Sequence, residues 1–600
     1  MADKRENVKV NYLSRDFGTI KNDLIEHAQR YYPDTFRDFS DAGFGALMVD
    51  AVSYIGDILS FYVDYQANES FLVTANEYGN VLKHAETVGY RHTGPRSTYG
   101  DATLYILVPA NSSNTGPDLS YAPVLRAGSQ FQGGGGTLFS LLTDVDFADA
   151  NNEVVVALTN TTTGIPTEYA IKTTGQIVSG ELRTITFDIG RFVKFRSLQI
   201  PGSATTEVIS VVDSEGREYY EVDHLSQNTI YVPITNTDTT TNVQAPTIVK
   251  PFIVPRRYIV RKTQTQTSLV FGYGSDDQLS SPSLSEARDV VLDLHSKTYV
   301  TDKAMDPTIL IKGDKFGVGP SNTTLTVSYR ANTAENSNAA ANAVNQVSDA
   351  NLEFANRTTL DTSVISSVRN SLEVTNENPI QGNVAPPTIT ELRQLIQGAH
   401  AAQNRAVTAE DFKTLILSMP AKFGGVKRCA VIQDVDSNLR NINVYVISQA
   451  TNGILEATNN VLKENIKTWL NTKRMINDSV DILDAKVVNL GVRFSAIASN
   501  NENKTAVFDR IQRRMNEYFA TKLDIGESFS ITDLYSLINS TPGVVDATFV
   551  KVFQKTGVGY ASTNFNVKSY MSSDGRMITA PKNVIFEVRY PNVDIEGTIR

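Results

Sequence analysis

The chain has 600 residues, more than one hydrophobic core usually serves, so several domains are expected. Its formal charge of −10 and pI near 5.3 exclude a general phosphate-backbone binder, which needs clustered Lys and Arg, so nucleic acid is not an expected partner. One cysteine, Cys429, leaves no intrachain disulfide framework, and its setting in GVKRCAVIQD reads as a buried, inert strand thiol suited to a reducing cytoplasm.

Residues 1–10 are polar and lack the apolar core of a secretory signal. A helical block follows, in which Ile20, Leu24, Ile25 and Ala28 start a first helix that Pro33 ends. Residues 38–75 encode a longer helix with two faces. Phe44, Leu47, Met48, Ala51, Val52, Ile55, Ile58, Leu59 and Tyr62 form a broad apolar stripe, which is expected to be buried. Asp50, Ser53, Asp57, Ser60 and Asp64 line the opposite face, a candidate polar interaction face that stays wet or meets a polar partner. Ser40 or Asp41 is available as N-cap ahead of Gly43 and Gly45. Asp50 and Asp57 interrupt the most hydrophobic run, 47–63. A charge near the bilayer centre costs about 3 kcal/mol or more, so a soluble helix and no membrane partner are expected.

Gly94 and Pro95 close this first domain, residues 1–95. From 96 to 330 the pattern changes to short alternating runs such as TLYILV, TITF and LTVSY between Gly, Pro, Asn and Asp turns, predicting a β-rich domain. The glycines 133–136 lack the Gly-Lys-Ser or Gly-Lys-Thr continuation of a phosphate cradle and read as a loop. Residues 331–387 are rich in Asn, Ala, Ser and Thr. They read as a connector or an arm, favouring an ordered connector, with Leu352, Phe354, Val364, Ile365 and Leu372 as its sizeable anchors.

The remainder contains a repeat. TAEDF followed by LILSMP, from Thr408, matches SITDL followed by LINSTP, from Ser530, at a constant offset of 122 residues. Thr408 and Ser530 each precede an acid by three positions, so each hydroxyl is placed to act as a helix N-cap with the carboxylate at the positive end of the dipole. Each helix stops at proline and leads through glycine and valine into a strand. Apolar stripes over 455–470 and 505–519 predict long helices, with strands at 480–484 and 487–497 after the first. Residues 388–500 and 501–600 thus read as two duplicated α/β sandwich modules, the second with carboxy-terminal strands. The fold class is a multidomain α+β protein with an N-terminal helical block and a β-rich middle.

Sites for chemistry are scarce. The six histidines, at 27, 84, 92, 224, 295 and 400, show no pair at metal-ligand spacing, and the Asp144/Asp146 run fails the later positions of a calcium loop. No serine stands in a Gly-x-Ser-x-Gly elbow. No catalytic residue, metal or cofactor is therefore assigned. A cell-wall hydrolase with paired carboxylates remains as an enzyme alternative, because carboxylate separation is a property of the fold.

Residues 38–75, with NYLSRDFGTIKNDL before them and 84–90 after, resemble the amino-terminal region of the baseplate J-like family, in particular the wedge ring subunit of contractile-tailed bacteriophages related to the T-even phages. The resemblance continues at FGYG (271–274), at 306–329 with its GVGP turn, at NRAVTAEDF (404–412) and at YPNVDIEG (590–597). Tyr273 stands where family members typically carry an acid, so no role for that acid transfers. The resemblance implies a structural, non-enzymatic subunit of a tail baseplate wedge. Such a subunit forms the ring around the central hub and takes part in baseplate rearrangement on sheath contraction. It also implies as partners a second copy of the chain, other wedge proteins, including sheath-initiator-like and peripheral wedge subunits, and the central hub and tube proteins. The implied location is the virion tail, after synthesis and assembly in the host bacterial cytoplasm. A homologous subunit of a contractile injection system or tailocin fits the same residues.

Overall fold

The structure is a computed structural model and describes residues 16–32, 43–202, 205–235, 247–263, 266–274, 316–332, 337–355, 357–382, 387–434, 441–450, 453–499, 502–520 and 523–600. It is a mixed α+β, multidomain protein whose chain divides into two compact units.

The smaller unit comprises residues up to His92 together with Pro387–His400. Its first helix, Phe17–Tyr31, is capped by Asp16, whose side chain accepts from Thr19 N–H. It packs along the long helix Phe44–Glu69, and Lys21 pairs with Asp50 at 2.8 Å. The long helix begins at Gly43, which caps it without a side-chain bond; the anticipated caps, residues 40 and 41, lie outside the described residues. The unit's core is Ala75, Val81, Leu82, Ala85 and Tyr90, around the short helix Tyr78–Thr87. Leu392 and Ile396 join it from the helix Ile389–Ala402, some 300 residues later in the chain.

The larger unit holds two seven-stranded sheets and two α/β modules. The first sheet runs in the order Val344–Asp349, Gln130–Gly133, Leu138–Leu141, Pro166–Ser179, Tyr99–Pro109 and Glu373–Thr375, with Glu153–Thr159 added to Pro166–Ser179. Two of these strands come from the Asn- and Ser-rich connector, and Leu352, Phe354, Ile365 and Leu372 are all buried in this sheet's core. That burial offsets the entropy of ordering a polar segment. The second sheet runs Glu181–Ile189, Thr323–Ala331, Thr205–Asp213, Glu218–Glu221, Arg257–Lys262, Thr267–Phe271 and Ser197–Ile200. Alternation of Leu325, Val327 and Tyr329 with outward polar residues puts those three into its core.

The repeated helices occupy Ala409–Leu417 and Ile531–Asn539, so their bounds keep the offset found in the sequence. Each leads into a strand, Arg428–Gln433 and Val544–Gln554. The first module pairs that strand antiparallel with Asn441–Gln449, follows with the helix Asn460–Asn471, and adds Ser479–Asp484 parallel. The second pairs it antiparallel with Lys486–Ala498 and adds Ile595–Ile599 parallel, with the helix Lys504–Ala520. The parts correspond, but their chain order does not. In the first module the repeated helix and strand precede the central strand and its helix; in the second they follow. Residues 455–459, expected to open a helix, instead form the short strand Leu455–Glu456 and the cap Asn459.

Candidate assembly surface

The faces of the long helix are reversed relative to the expectation from periodicity. On the anticipated buried stripe, Phe44 is 74% exposed, Leu47 62%, Ile55 56% and Leu59 59%, and Met48, Val52 and Tyr62 are exposed as well. On the anticipated wet face, Ser53 and Asp64 are buried, while Asp50, Asp57 and Ser60 are half-buried. The cause is the helix's neighbour. The first helix is mostly polar, buries no residue of its own, and offers Lys21 to Asp50, so the polar line can turn inward at little cost. Ser53 Oγ satisfies itself on Val49 O at 2.7 Å. Periodicity shows that a helix has two faces; it does not show which of them its own chain covers.

The C-terminal end of this helix is fixed by a buried carboxylate. Glu69 accepts from Asn76 N–H at 2.7 Å, from Glu77 N–H at 3.3 Å and from Asn80 Nδ2 at 2.9 Å, serving the start of the helix Tyr78–Thr87. His84 Nε2 lies 2.9 Å from Glu69 O, and Arg393 donates to Ala75 O. The helix thus presents its apolar stripe from a rigid base. By length and composition it is also the one helix among the described residues that could cross a membrane, although Asp50, Asp57 and Asp64 lie along it.

The family-like motifs are structural joints. FGYG and GVGP meet main chain to main chain: Gly274 N–H donates to Gly317 O and Gly319 N–H to Gly274 O, both at 2.9 Å. A Cβ on Gly272 would stand 2.0 Å from Gly317 O, so only glycine fits there. Tyr273, in the acid's place, receives Lys194 Nζ at its hydroxyl at 2.9 Å. Residues 306–315 of the second motif lie outside the described residues. In YPNVDIEG, buried Asp594 accepts from Tyr590 N–H at 2.8 Å and from Tyr560 OH at 2.6 Å, and Gly597 leaves room for the Phe494 ring.

At the predicted caps, Thr408 Oγ1 accepts from Asp411 N–H at 3.2 Å, and the Asp411 carboxylate accepts from Thr408 N–H at 2.8 Å. Ser530 Oγ accepts from Asp533 N–H at 3.3 Å. These residues are distant in the chain from the acidic helix face and belong to the larger unit. Burial drives the Cys429 thiol up to about 12. A cleft of about 390 Å³ on the outer face of the last sheet is lined by Arg493, Ser495, Thr548, Phe549 and Glu596. Arg493 binds Glu596 there at 2.6 Å and, with Lys555, holds its carboxyl below the ordinary range. This is an ion pair already engaged. Sequence patterning missed the strand Glu153–Thr159, every residue of which is exposed; its run of Val154, Val155, Val156 and Leu158 was the available signal.

The helical unit thus shows a long apolar stripe, and the family-like motifs are joints within the fold. Residues 16–87 match the family described as bacteriophage baseplate protein, N-terminal domain. Among solved structures the chain is similar to the cryo-EM structure of the anti-feeding prophage (AFP) baseplate, 6-fold symmetrised. The two share 10% identity at a TM-score of 0.29, over 96% of this chain and 99% of that one. No curated protein matches.

Proposed function

We propose that this protein is a structural subunit of a contractile-tail baseplate wedge, several copies of which join into the ring around the central hub and rearrange when the sheath contracts. The observation that carries this reading is the exposed stripe Phe44, Leu47, Met48, Val52, Ile55, Leu59 and Tyr62. Monomeric soluble proteins rarely leave so continuous an apolar surface in water. In this reading the stripe packs against a helix of a second copy and against another wedge protein, as coiled helices do. No turnover is part of the role.

Sedimentation velocity of the purified chain, alone and with a co-expressed companion wedge protein, tests it. The expected outcome is a dimer or larger species at micromolar concentration. A stable interface of that kind buries about 1,200–2,000 Å². A chain that stays monomeric in both samples overturns the reading. Partition into detergent or liposomes instead would assign the stripe to a membrane.

A further inference from the structure

Residues 93–99, at the start of the larger unit, are bound by side chains that reach their main chain from several parts of that unit. Lys262 Nζ donates to Thr93 O at 3.0 Å and also to Thr206 O. Asn332 Nδ2 donates to Arg96 O at 3.2 Å, and Ser179 Oγ accepts from Thr98 N–H at 2.8 Å. Asn459 donates to Tyr99 O, while Arg96 and Tyr99 themselves donate to Leu417 O and Lys422 O. The segment is therefore held by both sheets and by the first α/β module at once.

Lys262 stands apart in this set, because both of its hydrogen bonds end on neutral carbonyls. Glu207 and Glu221 favour its charge from a distance and Arg96 opposes it. Glu207 is itself paired with Arg330 at 2.7 Å, and the charge of buried Tyr99 would also face that pair. Burial outweighs these fields and pushes the amine down to about 8. Two carbonyl acceptors match the two N–H donors of a neutral amine, so deprotonation leaves both bonds in place.

We propose that Lys262 is the pin of a releasable latch, which fastens the Thr93 end of residues 93–98 onto the strands Thr205–Asp213 and Arg257–Lys262 through amine donors rather than through charge. The latch is separable from the sheets. The ladders Val211↔Val327 and Ile259↔Val270 make no use of it, so its opening frees the Thr93 end of the segment without unfolding the strands, while Arg96, Thr98 and Tyr99 keep their own bonds. The segment is one of three chain crossings to the helical unit, the other two lying on either side of Pro387–His400, and on the baseplate role proposed above a link with two states is what a rearranging assembly requires.

Hydrogen exchange with mass spectrometry on the full chain, for Lys262→Met, Lys262→Gln and the parent, tests the latch. In Lys262→Met, peptides covering 93–99 are expected to exchange about tenfold faster while those covering 205–213 and 323–331 keep their protection. Lys262→Gln, which keeps two N–H donors, is expected to recover part of the protection. The parent's protection at 93–99, corrected for intrinsic rate, is expected to hold from near pH 7 to near pH 9.5. Unchanged exchange in Lys262→Met overturns the proposal, as does selective loss of protection in the parent at the higher pH. If the Met variant does not fold, the Gln variant and the parent's pH pair decide.

Discussion

Glu69 shows how a single side chain fixes the end of one helix and the start of the next. Its carboxylate serves two main-chain amides and the Asn80 carboxamide, and donors stranded by Glu69→Ala cost the unit about 2 kcal/mol. Burial works against the charge. The bonds from Asn80, Asn76 and Glu77, with Arg393 nearby, outweigh it and hold the carboxyl below its ordinary 4.5. A carboxylate with a depressed folded value contributes stability that is fully present above the unfolded value and lost as pH falls through the folded one. The stability gap between parent and Glu69→Ala, measured by urea denaturation, is therefore expected in full near pH 7 and to shrink in acid below the unfolded value. A gap unchanged near pH 3 would contradict the assignment. Nothing in the sequence marked Glu69, because its partners, two main-chain amides and the Asn80 carboxamide, are brought to it by the fold.

At the level of the element, the long helix was legible as an element, though it ends at Glu69 and not near Ala75, and misleading in orientation. Its apolar period was plain, and burial of that stripe followed only on the assumption that the chain itself supplies the cover. The first helix instead packs on the polar side, where Lys21 pairs with Asp50 and Ile20 lies against Gly56. Ile55→Asp places a carboxylate on a 56% exposed position, where an exposed substitution changes stability by about 0.5 kcal/mol or less. The variant is expected to fold, with parental circular dichroism and melting, and to lose self-association in sedimentation. Insolubility of Ile55→Asp with loss of helix would return the stripe to the core. Short polar elements were legible for the opposite reason. Thr408 and Ser530 act within one turn of their own helices, so sequence spacing already contains their geometry.

For the whole molecule, the alternation of element types along the chain gave the α+β class, while the order of parts within the two last modules needed the structure. The repeated helix and strand are common to both modules. The central strand and its helix come after them in one and before them in the other, which the offset of two short motifs cannot reveal. The modules also touch: Glu587 accepts from Leu455 N–H and Asn489 Nδ2, both at 2.9 Å, and Ile447, Leu455, Val487 and Ile585 share a small core. The modules meet as well where Arg428 donates to Leu523 O at 3.0 Å, but the caps belong to separate cores, Thr408 beside Phe412, Leu415 and Ile416, Ser530 beside Phe529, Ile531 and Leu534. Thr408→Ala and Ser530→Ala are each expected to cost about 1 kcal/mol, and the double variant to show their sum within about 0.5 kcal/mol. Asp411 returns a bond to the Thr408 amide, so Asp411→Ala is expected to cost more than Asp533→Ala. Denaturation of the single and double variants checks both statements. A double variant markedly less destabilised than the sum would mean that one cap's loss had already released the other helix, joining through the Glu587 contact two cores that the packing keeps separate.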